Sequence, residues 1–151
     1  MARDELCRHE TVVVWDMETF SEVATLTGHV DWVTALVFSD DNSLLATGDR
    51  TGRMKVWSTA DWSLVLDVPT IEREVTSIAF TGKALEGVPG SFNPRLLAVA
   101  SGRGVITIWR YETGELVGTM GSAAPDNDHA LIPPRDTIPS LDFWPGNNNV
   151  L

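Results

Sequence analysis

Histidines, cysteine and carboxylates are the residues of this 151-residue chain with the most chemistry in them, and their spacing is the first test of whether they act together. There are three histidines, His9, His29 and His129, and one cysteine, Cys7. A lone cysteine excludes a Cys-based zinc cluster within one chain. His9 opens the stretch HETVV, which lacks the second His that a zinc-binding helix presents one turn later. The three histidines fall in different connections and share no ligand spacing. Phosphate-binding loops are equally incomplete: TGKA at 81–84 has no upstream Gly of a P-loop, and SGRGVI at 101–106 has Gly-x-Gly without the third Gly. No catalytic residue, no metal site and no cofactor is expected.

The elements that would carry such residues are strands. Val33 to Phe38 is rich in β-formers, Ser39 to Ser43 is a polar turn, Leu44 to Thr47 is apolar again, and Asp49 to Gly52 is a second turn before Met54 to Trp57. The pattern recurs. TVVVW ends at Trp15, MKVW at Trp57 and VITIW at Trp109, while VTALVF ends at Phe38, VTSIAF at Phe80 and IPSLDF at Phe143. Trp15 to Phe38 and Trp57 to Phe80 are both 23 residues, so the register is kept between repeats.

Composition sets limits on partners and compartment. The formal net charge is −10, which disfavours a nucleic-acid backbone or an anionic membrane as principal partner, because like charge repels over a Debye length of about 8 Å. The acids are scattered and read as a solvated surface. MARDELCRHE has no apolar signal-peptide core, no run approaches the roughly 18 apolar residues of a membrane span, and a single cysteine suits a reducing compartment. An intracellular protein, cytoplasmic or nuclear and not secreted, is expected.

The strand-ending Trp residues, together with Gly28-His29 and Trp15-Asp16, resemble the WD-repeat family, whose repeat of about forty residues opens near Gly-His and closes on Trp-Asp. Trp57-Ser58 and Trp109-Arg110 keep the Trp and lose the Asp. The resemblance implies an all-β fold, an open or partial β-propeller of about three four-stranded antiparallel blades. Lettering strands a to d outward from the axis, it implies c and d of a first blade over 11–27 and a second blade over 28–68. A third follows over 69–120, and a fourth starts over 138–151. Trp57 to Trp109 is 52 residues against 42 for Trp15 to Trp57, and the excess maps to an inserted a–b loop at 81–95; a second insertion is expected at 121–137. These two loops belong to opposite faces of the disc.

In the resembled family a loop His, a strand b hydroxyl, a turn Asp and the strand c Trp form a hydrogen-bonded tetrad. Here His29, Thr47 and Trp57 match, Thr51 stands at the Asp position, and Asp49 is two residues away. The third blade has Ile71, Val99 and Arg103 at the first three positions and keeps only Trp109. A structural role therefore accounts for His29 better than a base or ligand role. Asp31, Trp32, Trp62 and Trp144 are the candidate partner-binding residues, with Trp32 on the His29 face and Trp62 and Trp144 on the other.

The expected function is a non-catalytic scaffold for protein–protein interaction, taking a protein or peptide partner. The alternative is a structural segment that assembles with further blades. About four to eight blades close a propeller. A segment of a longer propeller meets that requirement, and so do two copies closing in trans.

Overall fold

The computed structural model describes residues 10–70, 73–81, 95–102, 104–121 and 140–141. Among the described residues ten strands form three sheets, in each of which consecutive strands pair as antiparallel hairpins. The first pair is β1 (Val12–Asp16) and β2 (Ser21–Leu26). The second sheet runs β3 (Val33–Phe38), β4 (Leu44–Asp49), β5 (Arg53–Ser58) and β6 (Leu64–Pro69) in spatial order. The third runs β7 (Val75–Phe80), β8 (Leu96–Ser101), β9 (Ile106–Arg110) and β10 (Glu115–Met120). The bursts VTALVF and VTSIAF form β3 and β7 as expected, and the strand of VITIW lies one residue later than 105–109. Among the described residues no helix is long and apolar enough to cross a membrane.

Turn chemistry explains where the strands stop. In the β3–β4 turn Asp41 accepts from the Ser39 hydroxyl at 2.7 Å and from the Ser43 N–H at 3.0 Å, and Asn42 takes a left-handed φ of 57°. The β4–β5 and β8–β9 turns are copies of each other: Gly52 (φ 83°) donates its N–H to Asp49 O, and Gly104 (φ 69°) donates to Ser101 O. The outer hairpins also repeat one geometry. Phe20, Trp62 and Gly114 hold the same turn position with φ of 52°, 58° and 71°, a conformation that only the glycine adopts without strain.

The period-2 alternation of a strand gives the second sheet two apolar faces, both of them buried against a neighbour. In the second blade Ala46, Met54 and Val56 point towards the third blade and share a buried cluster with Val75, Ile78, Phe80, Leu97, Val99 and Trp109. Their strand neighbours Leu45 and Trp57 point the other way, into a cluster with Leu26 and the flanking Val12, Val14 and Ala24. The strand c Trp of each whole blade thus faces the blade before it. The blades approach so closely that a Cβ on Gly48 would lie 2.4 Å from Val75 Cγ1. The Thr34 hydroxyl adds a 2.5 Å bond to the Val75 carbonyl.

Thr81 closes the base of the expected a–b insertion, accepting at its hydroxyl from Leu96 N–H at 3.1 Å. The rest of that loop, and the expected insertion at 121–137 beyond Gly121, lie outside the described residues. Of the expected strand at 138–143 only Ser140 and Leu141 are described, and Leu141 N–H donates to the Ser77 hydroxyl of β7 at 2.9 Å.

Candidate functional site

Strand alternation puts Thr47 and Asp49 of β4 on one face, together with Trp57 of β5, and the β2–β3 connection lays His29 over them. His29 Nε2 lies 2.7 Å from Thr47 Oγ1 and Nδ1 lies 2.8 Å from Asp49 Oδ2. Trp57 Nε1 donates to Thr47 Oγ1 at 3.0 Å. Burial pushes the His29 pKa below its ordinary value, and the opposing pull of Asp49 does not restore it. The neutral ring then carries its proton on Nδ1, donated to Asp49, and accepts the Thr47 O–H at Nε2. Burial pushes the Asp49 carboxyl up, but bonds from the Thr51 hydroxyl (2.6 Å), from His29 and from the Arg53 and Thr51 N–H groups outweigh it and hold the carboxyl below its usual range.

Threonine, histidine and aspartate in series match the order of a nucleophile, base and orienting acid. Access decides against that use. His29, Thr47, Asp49 and Trp57 are all buried, and the Thr47 oxygen is already engaged by the indole and the imidazole, so no substrate reaches it. What the network does is pin the β2–β3 connection to the sheet. The acid in it is Asp49, not a residue at position 51. Asp49 ends β4 with its Oδ2 on the imidazole, and Thr51 caps the other oxygen from the turn.

The third blade satisfies its Trp differently. Trp109 Nε1 donates to Thr107 Oγ1, two residues back on the same strand, at 2.9 Å, and Val99 is buried where Thr47 stands in the second blade. Ile71 and Arg103 lie outside the described residues. The counterpart of Thr107 is Lys55, which is buried and donates to Asp67 Oδ2 at 2.6 Å. Arg53 reaches the same carboxylate through Nε at 2.6 Å and Nη2 at 3.0 Å. Burial raises the Asp67 carboxyl, and the two cations outweigh it and hold it low. This cluster was missed from sequence because lysine and arginine in a strand ordinarily read as its solvent side; the signal was the cross-strand register Lys55↔Asp67.

Of the candidate partner residues, Asp31 and Trp32 lie together beside His29. Asp31 Oδ1 accepts the Trp32 N–H at 2.7 Å, and the Arg50 guanidinium stands 5.5 Å from the centroid of the Trp32 ring. Arg50 N–H also donates to the Trp32 carbonyl at 3.0 Å. Trp32 is 50% exposed and Val30 beside it is exposed as well. Trp62 is elsewhere and half-buried, packed against Leu26, Leu45 and Trp57. Trp144 lies outside the described residues. Exposed aromatic and aliphatic groups that the sequence reading did not name as candidates for partner contact include Trp15, Phe20, Leu36 and Phe38. Among the described residues no three His, Cys, Asp or Glu side chains converge as metal ligands.

Antiparallel four-stranded sheets stacked face to face, each with its strand c Trp turned to the preceding sheet, define a segment of a β-propeller. Residues 20–58 match the family model described as WD domain, G-beta repeat, and the chain is a WD-repeat β-propeller segment. It is 30% identical over 106 residues to apoptotic protease-activating factor 1 of Rattus norvegicus, a match covering 70% of this chain and 8% of that protein. It is 30% identical over 135 residues to nuclear distribution protein PAC1 of Gibberella zeae, covering 87% of this chain and 27% of that one. The solved structure of U3-55K superimposes with a TM-score of 0.65 at 18% identity, over 76% of this chain and 34% of that chain, which is a likeness of fold. The chain spans between 8% and 34% of the length of these proteins.

Proposed function

We propose that this chain is a non-catalytic WD-repeat scaffold that mediates protein–protein interaction through the face carrying Asp31 and Trp32. One observation carries the reading. Trp32 is half exposed on a connection that the buried His29–Asp49 pair holds down, with Arg50 stacked on its ring. A large aromatic presented on a rigid loop loses little entropy when a partner covers it, the usual property of a binding hot spot. The excess of acid, −10 overall, steers basic peptides to it and disfavours nucleic acid and membrane surfaces. The partner is accordingly a basic or aromatic-containing peptide or protein segment, and no cofactor is required. An intracellular location accords with the lone cysteine and with the printed name of the Gibberella zeae relative.

The test pairs charge reversal at Asp31 with Trp32→Ala and compares the proteins retained by the variant and by the wild-type chain. Weakened retention with an unchanged melt supports this face. Equal retention removes it.

A second reading, assembly with further blades, has its own observation. Trp57 and Trp109 are 5% and 7% exposed beneath the blades before them, whereas Trp15, at the same strand position in the first pair, is 55% exposed. Mass in solution tests it: a discrete assembly larger than 16.5 kDa supports it, and a monodisperse monomer does not.

A further inference from the structure

The face that carries Trp32 repeats one corner in successive blades with different side chains. In the second blade Arg50 N–H donates to the Trp32 carbonyl at 3.0 Å, and in the third Gly102 N–H donates to the Glu74 carbonyl at 3.0 Å. The strand register agrees, with Val33 opposite Asp49 and Val75 opposite Ser101. Glu74 therefore holds the place of Trp32, and Gly102 that of Arg50. The two corners adjoin, because Val75, next to Glu74, lies against Gly48, two residues before Arg50. In the second blade a guanidinium 5.5 Å from the indole centroid already covers the residue that enters the strand. In the third that residue is an exposed carboxylate, and a glycine stands at the position that would supply the cation. Among the described residues no hydrogen bond or ion pair reaches the Glu74 carboxylate.

From this we infer that Glu74 and Gly102 seat an arginine of the partner peptide, its guanidinium over Glu74 as that of Arg50 stands over Trp32, while an aromatic or aliphatic side chain of the same peptide lies on Trp32 and Val30. The inference rests on the reading of the Asp31–Trp32 face and adds which side chains that face takes and how far apart they are.

Sterics and charge both admit the arginine. Beyond its chain neighbours, a Cβ built on Gly102 meets only the Glu74 carbonyl oxygen, at 4.0 Å, an ordinary contact that leaves room for a side chain beside it. A carboxylate attracts a guanidinium more strongly than an indole does and accepts two parallel N–H groups from it, a geometry that a lysine ammonium does not offer. Arg73, at the place of Asp31, is exposed and has the same charge as the guest, so it opposes binding. Packed sheets stand about 10 Å apart and an extended chain advances about 3.3 Å per residue, which sets the arginine and the apolar residue about three positions apart.

The probe is the peptide Gly-Ser-Arg-Ser-Gly-Phe-Ser-Gly, added to the full chain and followed by the NMR signals of the Trp32 indole N–H and the Gly102 amide. Saturable binding that shifts both signals is expected. Lysine in place of the peptide's arginine, or Glu74→Gln in the protein, should weaken it about fivefold or more. Gly102→Arg puts a guanidinium of the chain itself where the guest's would stand. It should leave the melt unchanged and weaken the peptide by a similar factor, whereas Arg73→Ala should tighten binding. Absence of saturable binding, affinity kept in both Glu74→Gln and Gly102→Arg, or a shift at the Trp32 indole without one at Gly102 overturns the inference. In each of those cases the face itself stands or falls separately: loss of retained proteins on Asp31 reversal with Trp32→Ala keeps it, and equal retention removes it.

Discussion

Trp57 Nε1 and Thr47 Oγ1 lie 3.0 Å apart on adjacent strands, and this bond ties the second blade's largest buried side chain to the network that pins the β2–β3 connection. Trp57 is held from two sides, by Leu26 and Leu45 in its cluster and by the hydroxyl at its polar edge. Truncation to alanine should cost roughly 3 to 5 kcal/mol, read from chemical or thermal unfolding. Thr47→Val keeps the shape and strands both the indole N–H and the imidazole, and should cost about 1 to 3 kcal/mol. A melt unchanged by both substitutions would show that the bond and the packing are not those described.

The pH dependence of stability follows from His29 and has a definite sign. Its folded pKa is depressed, mainly by burial, so below the ordinary histidine value of about 6.5 the unfolded chain binds a proton that the folded chain resists. Stability should therefore fall as pH drops through the window below about 6.5. The depressed Asp49 carboxyl adds a further loss at lower pH, where the unfolded group protonates before the folded one. His29→Gln removes the first of these slopes, at a cost in stability near neutrality. Melts of the two proteins across pH 5 to 8 that stay parallel would contradict the assignment.

Glycine at position 48 is a packing requirement. A Cβ there would meet Val75 Cγ1 at 2.4 Å, inside any real contact, and Val75 is completely buried. Gly48→Ala should destabilise by about 1 to 3 kcal/mol, as overpacking does. Val75→Ala opens a cavity and is itself destabilising, but combined with Gly48→Ala it provides the missing space. The double mutant should be more stable than the sum of the single effects implies, a coupling that a mutant cycle measures directly.

The first and third strands of each repeat were legible because they close on or next to an aromatic residue at constant spacing, as VTALVF and VTSIAF do. The acid on His29 was partly legible: Asp49 stands two residues before the position that the resemblance assigns, and the end of β4 sets its carboxylate on the same face as Thr47. Two features were not legible, each for a physical reason. Lys55 is buried because Asp67 stands opposite in the register, and pairing across strands is a relation that no single strand displays. Trp15 and Trp57 are the same residue type at the same place in the repeat, yet one is exposed and the other buried. Their difference depends on whether a neighbouring sheet is present, which local pattern does not encode.

The Lys55–Asp67 pair allows the final prediction, in which two substitutions of similar size differ in sign. Lys55 is almost completely buried and Asp67 is about a quarter exposed, so the lysine has given up most of its hydration while the aspartate keeps part of its own. Asp67→Asn leaves the ammonium without a counter-charge and Arg53 without its carboxylate, and should cost about 1 to 3 kcal/mol. Lys55→Met retains the alkyl stem against Trp57's side of the sheet and removes the charge that had to be desolvated. Asp67 then still has Arg53, so this substitution should be neutral or stabilising, as replacement of a buried ion by an isosteric apolar group often is. Equilibrium unfolding of the two variants decides the matter. If Lys55→Met is the more damaging of the two, the ion pair contributes more than its desolvation costs.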